Sequence, residues 1–175
     1  ATVNRRLHAL RRFCRWALRR GWLAEDPSQD VKTIRTGRRG QPRGLEDAEV
    51  HALLRAAGQS GRGLAKRNYA LVQLMLQTGL RVGEVAVLKR ADLVVYDRSG
   101  TVRVRQGKGR KDREVPLNAT ARRALTLYWK SLEGVKPEDS LFASERGTSM
   151  SLRAMQAIVS ELARRAKIHR LRVSA

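Results

Sequence analysis

Thr78-Gly79-Leu80-Arg81-Val82-Gly83-Glu84-Val85-Ala86-Val87-Leu88 is the stretch on which the reading of this chain turns. It sets a glycine turn at Thr78-Gly79, then an arginine at the mouth of a predicted helix that ends near Lys89. Glu84 returns to the same helical face one turn after Arg81. An arginine offers a planar fork of donors that matches the oxygens of a phosphate, and a neighbouring carboxylate can fix its rotamer. The same spacing also describes an ordinary (i, i+3) surface ion pair. The rest of the chain decides between the two readings.

Length and charge narrow the choice. A chain of 175 residues, 42% of them apolar, is long enough for one domain plus part of another and can bury a core. Its formal net charge of +21 is extreme for this size and points to a polyanionic partner. No apolar run approaches the roughly 20 residues that span a bilayer, and no signal-peptide pattern opens the chain. Nucleic acid is therefore the expected partner, and a membrane is not. The single cysteine, Cys14, cannot form an internal disulfide, and the three histidines have no zinc spacing. No metal or cofactor is expected. Cys14 shares a helical side with Leu7, Leu10 and Ala17, as a small core residue in a reducing cytoplasm would.

Upstream of the opening stretch, residues 3–21 predict an amphipathic helix with Val3, Leu7, Leu10, Cys14, Ala17 and Leu18 inward. Arg5, Arg12, Arg15 and Arg19 share the opposite face, and the segment holds seven arginines and no acidic residue. Like charges at that density oppose a helix unless phosphates compensate them. Gly21 closes the helix and Pro27 prevents an immediate restart. Residues 36–44, Thr-Gly-Arg-Arg-Gly-Gln-Pro-Arg-Gly, lack apolar side chains and read as a linker. Residues 1–43 carry 12 basic and 3 acidic residues, against 25 and 13 in the remainder, so the short N-terminal part is the more densely basic.

Beyond the linker, helices are predicted at 47–57 and 64–77, the second apolar enough to be central. Strands are predicted at 92–96, 101–106 and 112–117, then helices at 119–132 and 150–167. The class is mixed: mainly α, with a small antiparallel three-stranded sheet. The second chemical element is Gly107-Lys108-Gly109-Arg110-Lys111-Asp112-Arg113-Glu114-Val115-Pro116-Leu117. Its glycines leave Lys108 on a thin hairpin tip that can approach another backbone closely. A lysine there can protonate a leaving alkoxide or pair with phosphate; a basic turn with glycines for geometry is the plain alternative.

The two elements in this order and spacing closely resemble the tyrosine recombinases, the phage-integrase family. Thr2-Val3-Asn4-Arg5-Arg6-Leu7 leading to Phe13-Cys14-Arg15-Trp16-Ala17 looks like the last helices of that family's core-binding domain. Asp26-Pro27 resembles its end, and Leu141-Phe142 and the helix from Met150 to Ile168 match the family's order. The resemblance implies a division into 1–35, the C-terminal part of a helical core-binding domain; 36–44, a linker; and 45–175, the first two-thirds of a catalytic domain.

The resemblance implies roles as well. Arg81 would clamp the non-bridging oxygens of the scissile phosphate, Glu84 would support it, and Lys108 would protonate the departing 5′-oxygen. Arg5, Arg12, Arg15 and Arg19, the linker's Arg38 and Arg39, and the hairpin's Arg110, Lys111 and Arg113 are candidate DNA contacts. The implied reaction is transesterification through a 3′-phosphotyrosyl intermediate, with double-stranded DNA as partner and a homotetramer on two DNA sites. The implied setting is cytoplasmic and nucleoid-associated, in a bacterium or phage. The phosphotyrosyl bond keeps the energy of the phosphodiester, so no metal or ATP is required.

The family also needs a His-x-x-Arg element and a later tyrosine nucleophile. The spacing occurs at His169-Arg170-Leu171-Arg172, a turn too early and with no tyrosine after it, and is read as coincidence. Tyr69, Tyr96 and Tyr128 are each expected to be packing residues. The chain is expected to be a fragment without cleavage activity of its own. A non-catalytic DNA-binding protein on the same scaffold is the alternative; an RNA-associated basic protein would explain the charge but not the Arg81 and Lys108 elements. Glu46, where a serine or threonine cap would be usual, predicts a weaker helix start.

Overall fold

The computed structural model describes residues 2–34, 44–61, 63–105, 112–132 and 134–168. The chain forms two compact units, Ala1–Gly44 and Leu45–Ala175. In the first, α1 spans Thr2–Arg19. It ends in a six-to-one and five-to-two pair of bonds, Trp22 N–H to Ala17 O at 2.9 Å and Gly21 N–H to Leu18 O at 3.0 Å. Residues 23–34 then return along α1. The Asn4 side chain exchanges two hydrogen bonds with the Ile34 backbone, at 2.8 and 3.0 Å, and Arg11 donates to the carbonyls of Ser28 and Val31.

Cys14 and Ala17 are buried as the pattern requires. Val3 and Leu10, expected inward, are instead 57% and 52% exposed. The cause is the short cover this unit provides: Asp26 and Ser28 lie on the Cys14 side of the helix, and the flanks of the apolar stripe stay open. Asp26 accepts from the Ser28 hydroxyl at 2.6 Å and the Ser28 N–H at 2.9 Å, which holds its carboxyl below the usual range.

The second unit is built around α3, Ala65–Thr78. Leu71 and Leu74 enter the larger core with Val85, Leu88, Val102, Leu125 and Phe142. Val72, on another side of α3, enters a smaller core with Leu53, Ala57 and Leu162. Leu53 and Ala57 come from α2 (Asp47–Gly58), Val85 from α4 (Val82–Ala86), Leu125 from α5 (Ala119–Trp129) and Leu162 from α6 (Leu152–Arg165), while Leu88 follows α4, Val102 lies in the sheet and Phe142 lies between α5 and α6. A helix buried on two sides needs apolar residues around most of its girth, which is what its sequence shows. At the head of α2 the Glu49 carboxylate reaches back to the Glu46 N–H at 2.9 Å, giving that start a cap.

The sheet runs β1 (Leu93–Val95), β2 (Gly100–Val104), β3 (Arg113–Pro116), in that order and antiparallel. Val95 faces Gly100 at one end, and Val104 faces Arg113 at the other. Gly100, Val102 and Val104 point into the core, with Thr101 and Arg103 less buried between them, the period-2 pattern of a half-covered sheet. A Cβ on Gly100 would stand 2.9 Å from the Val94 carbonyl, so no larger residue fits without displacing β1.

Several element ends differ from the expectation, among them the predicted 119–132 helix, which stops at Trp129, and two of the differences have a visible cause. The helix carrying Arg81 ends at Ala86 and not near Lys89, because Leu88 and Lys89 pair with another segment: Leu141 N–H donates to Leu88 O at 2.8 Å, and Lys89 bridges Ser140. Asp92 lies in a one-turn 3₁₀ helix, Arg90–Asp92, and not in β1, because its carboxylate accepts the Lys89 N–H at 2.9 Å. Among the described residues no helix is long and apolar enough to cross a membrane.

Candidate active site

Gly79 ends α3 in the left-handed conformation (φ +65°), with its N–H on Met75 O at 3.0 Å. A side chain would be strained there, so the glycine allows the sharp exit. Leu80, Val82, Val85 and Leu88 are all buried in the larger core. Between these anchors Arg81 can only face outward, and its side chain is 50% exposed. It caps α4, whose third residue is Glu84. Glu84 Oε2 accepts the Arg81 backbone N–H at 2.9 Å, placing a negative group at the positive end of the turn.

The expected Arg81–Glu84 pair is present, but it is a single long contact of 3.5 Å from Nη1 to Oε1. Glu84 is instead gripped by Arg113, with Nη1 on Oε1 at 3.0 Å and Nη2 on Oε2 at 2.9 Å. Arg113, expected as a DNA contact, thus directs its fork at Glu84. The Glu84 side chain is 12% exposed. The Arg113 hydrogen bonds, with help from the Arg81 N–H, hold its carboxyl below the usual value of 4.5, against the opposing effect of burial. Arg113 is raised in turn by the same pair. A carboxyl whose folded pKa lies below its unfolded one stabilises the fold above the unfolded value, and that contribution fades as pH falls through the folded value. The stability advantage of the native protein over Glu84→Gln is therefore expected to shrink between roughly pH 6 and pH 3 in urea titrations, and a pH-independent gap would contradict the pairing.

Two further ion pairs brace the base of the β2–β3 hairpin. Arg103 meets Asp112 at 3.2 Å, and Arg105 meets Asp92 at 2.7 Å, where the Asp92 side chain is 4% exposed. Lys108, Arg110 and Lys111 lie outside the described residues, as do Arg38, Arg39 and His169 to Arg172. In the other unit, Arg5, Arg12, Arg15 and Arg19 are all exposed along α1.

The tyrosines divide. Tyr128 is 3% exposed, stacked on Phe142 with ring centroids 5.6 Å apart, and its oxygen accepts the Ala143 N–H at 3.2 Å. Burial pushes its pKa up, so it is a poor phenolate. Tyr69 packs against both cores and accepts from Gln73 at 3.1 Å. Tyr96, also expected to pack, is 67% exposed, because it follows the last paired residue of β1 and its N–H turns to Ser99 O. It stands at the Gly100 end of β2, about 13 Å by strand rise from the Arg113 end. Tyr128 and Tyr69 are held in packing, and Tyr96 lies at the end of the sheet away from Arg113.

Sequence reasoning missed the grip of Arg113 on Glu84, the buried Asp92 and a buried arginine, Arg67. Arg67 is 6% exposed and donates to the Asn68 side chain and to Ala143 O at 3.0 Å, tying α3 to the segment after Phe142. Desolvation lowers its pKa. No spacing rule links positions 84 and 113, so their pairing had no sequence signal. Among the described residues no cluster of His, Cys, Asp and Glu could hold a metal ion.

Known proteins share the sequence pattern and the fold of this chain. The model of the "Phage integrase family" matches residues 43–175. Tyrosine recombinase XerD of Ralstonia nicotianae is 37% identical over 173 residues, which cover 97% of this chain and 55% of the relative. Among solved structures, XerA recombinase superposes with a TM-score of 0.62 at 28% identity, over 77% of this chain and 46% of that one. The Tn1549 transposon integrase, solved in complex with circular intermediate DNA, has the same fold: TM-score 0.72 at 20% identity, over 99% of this chain and 60% of that one. The chain spans about half the length of the curated relatives it matches.

Proposed function

Because this chain belongs to the phage integrase family, the tyrosine recombinases, we propose that it is the arginine-bearing part of an enzyme that cuts and rejoins DNA at specific sites. The observation that carries the reading is Arg81: a half-exposed guanidinium on a turn anchored by four buried residues, beside a carboxylate that is itself held in place. In the reaction a tyrosine oxygen bonds to the scissile phosphorus and the bond from phosphorus to the 5′-oxygen breaks. Arg81 stabilises the charge that gathers on the non-bridging oxygens. Lys108 gives the proton to the departing 5′-oxygen. A 5′-hydroxyl of a partner strand then reverses the step, so bond energy is conserved without metal or ATP.

Under this reading the division into 1–35, 36–44 and 45–175 is that of a core-binding part, a linker and a catalytic part. A homotetramer on two duplexes and a nucleoid-associated, cytoplasmic location go with such a reaction. The placement of Tyr69, Tyr96 and Tyr128 favours a qualification: these 175 residues by themselves bind DNA without cutting it.

A nicked suicide substrate tests the reaction. The full-length protein is expected to become covalently joined to the DNA, and the 175-residue chain is not. Binding with no adduct from the full-length protein would sink the enzyme reading in favour of a non-catalytic DNA-binding protein. Changing Arg12 and Arg15 together to glutamine is expected to weaken duplex binding at all sequences and to lower the slope of log affinity against log salt by roughly 2. An unchanged slope would remove α1 from the DNA interface, and a preference for RNA over duplex DNA would count against the reading as a whole.

A further inference from the structure

One carboxylate serves two arginines at Glu84, and it serves them unequally. Arg113 takes both oxygens, at 3.0 and 2.9 Å, while the Arg81 guanidinium reaches one of them at 3.5 Å. A bidentate pair is stronger and more directional than a single long contact. The grip of Arg113 has its own support, because the residue stands opposite Val104 in the sheet. Its approach to Glu84 therefore does not depend on Arg81. The consequence falls on Arg81, whose guanidinium has Glu84 as its one partner among the described residues and remains half exposed.

We propose that Arg113 is a positioning residue for the Arg81 site: by occupying Glu84 it keeps the Arg81 fork open for an incoming phosphodiester. The proposal rests on the reading of Arg81 given above. Without Arg113, Glu84 would be a largely buried carboxylate with Arg81 as the remaining cation in contact with it among the described residues. A buried charge left without its partner is costly, so the pair would close. Closure would turn the donors that suit a phosphate toward the carboxylate. Glu84 alone thus competes with substrate, and Glu84 loaded with Arg113 does not. It still fixes the backbone of Arg81 through the N–H bond at 2.9 Å.

The test uses the 175-residue chain with isotope-labelled arginine, and inorganic phosphate as the probe. The Arg81 Nε–Hε signal is assigned by its loss in Arg81→Lys. In Arg113→Gln, before any anion is added, that signal is expected to become more ordered and slower to exchange as the guanidinium closes on Glu84. Phosphate affinity read at the same signal is expected to fall at least about tenfold. Adding Glu84→Gln to Arg113→Gln removes the competing charge and is expected to restore phosphate binding to within roughly threefold of the native value. A merely structural Arg113 would not be rescued in this way. If Arg113→Gln fails to fold, Arg113→Lys keeps the charge without the fork and is expected to show the same closure with a smaller loss.

An Arg81 signal unchanged in a folded Arg113 variant overturns the proposal. So does a double variant that binds phosphate no better than Arg113→Gln. An Arg81 signal that closes in Arg113→Gln while native Arg81 ignores phosphate supports the competition and overturns the phosphodiester reading, so the two failures are distinguishable.

Discussion

Arg81→Ala in the full-length protein is expected to slow DNA cleavage by about 10²–10³-fold while leaving most of the duplex affinity. The loss is large because a guanidinium aimed at the non-bridging oxygens acts mainly when charge builds up on them, and no water can replace its fixed fork. Affinity survives because one cation among a net +21 contributes little to counterion release. The local fold is also expected to survive. Glu84 keeps both Arg113 bonds, and it keeps the backbone N–H at position 81, which alanine retains. The loss therefore reports chemistry and not collapse. Single-turnover formation of the covalent adduct, set beside a binding isotherm, is the measurement. Normal cleavage by the variant would remove Arg81 from the site. Arg81→Lys, which keeps charge but not the planar fork, is expected to fall between the two.

Phe142→Ala is expected to cost about 3–5 kcal/mol of folding free energy, the largest effect of any single truncation considered. Phe142 is fully buried and stacked on Tyr128 at 5.6 Å. The hole it leaves would be hard to close, because the chain is pinned on both sides. Leu141 N–H bonds to Leu88 O at 2.8 Å, and Ala143 is bonded by both Tyr128 and Arg67. A cavity whose walls cannot relax carries the full penalty. Against a typical total of about 5–15 kcal/mol, such a loss removes a large share of the stability. Urea unfolding measures it, and a change below about 1 kcal/mol would show that the two flanking anchors do not hold the cavity open.

Much of the second unit could be read along the chain. The near-continuous apolar surface of α3, the three short strands and the helix that begins at 119 are local signals, and each has its counterpart in the fold. The glycine before Arg81 and the apolar spacing of Leu80, Val82, Val85 and Leu88 also dictate that Arg81 faces out. The first unit was less readable, because periodicity marks a stripe on α1 but not how much chain arrives to cover it. Val3 and Leu10 stay exposed for that reason. The helix end at Ala86 was missed because a strand-like partner, Ser140-Leu141, captures Leu88 and Lys89 from far along the chain.

The division at the site itself has the same physical cause. Residue types and short spacings were sufficient for an exposed arginine on a glycine turn, a carboxylate one helical turn away and a strongly basic chain. Which arginine holds that carboxylate was settled by folding, because Arg113 reaches Glu84 through the pairing of β3 with β2 and the packing of the sheet beside α4, contacts between residues distant in sequence. Local rules describe what a residue offers; only the closed core determines which offer is taken.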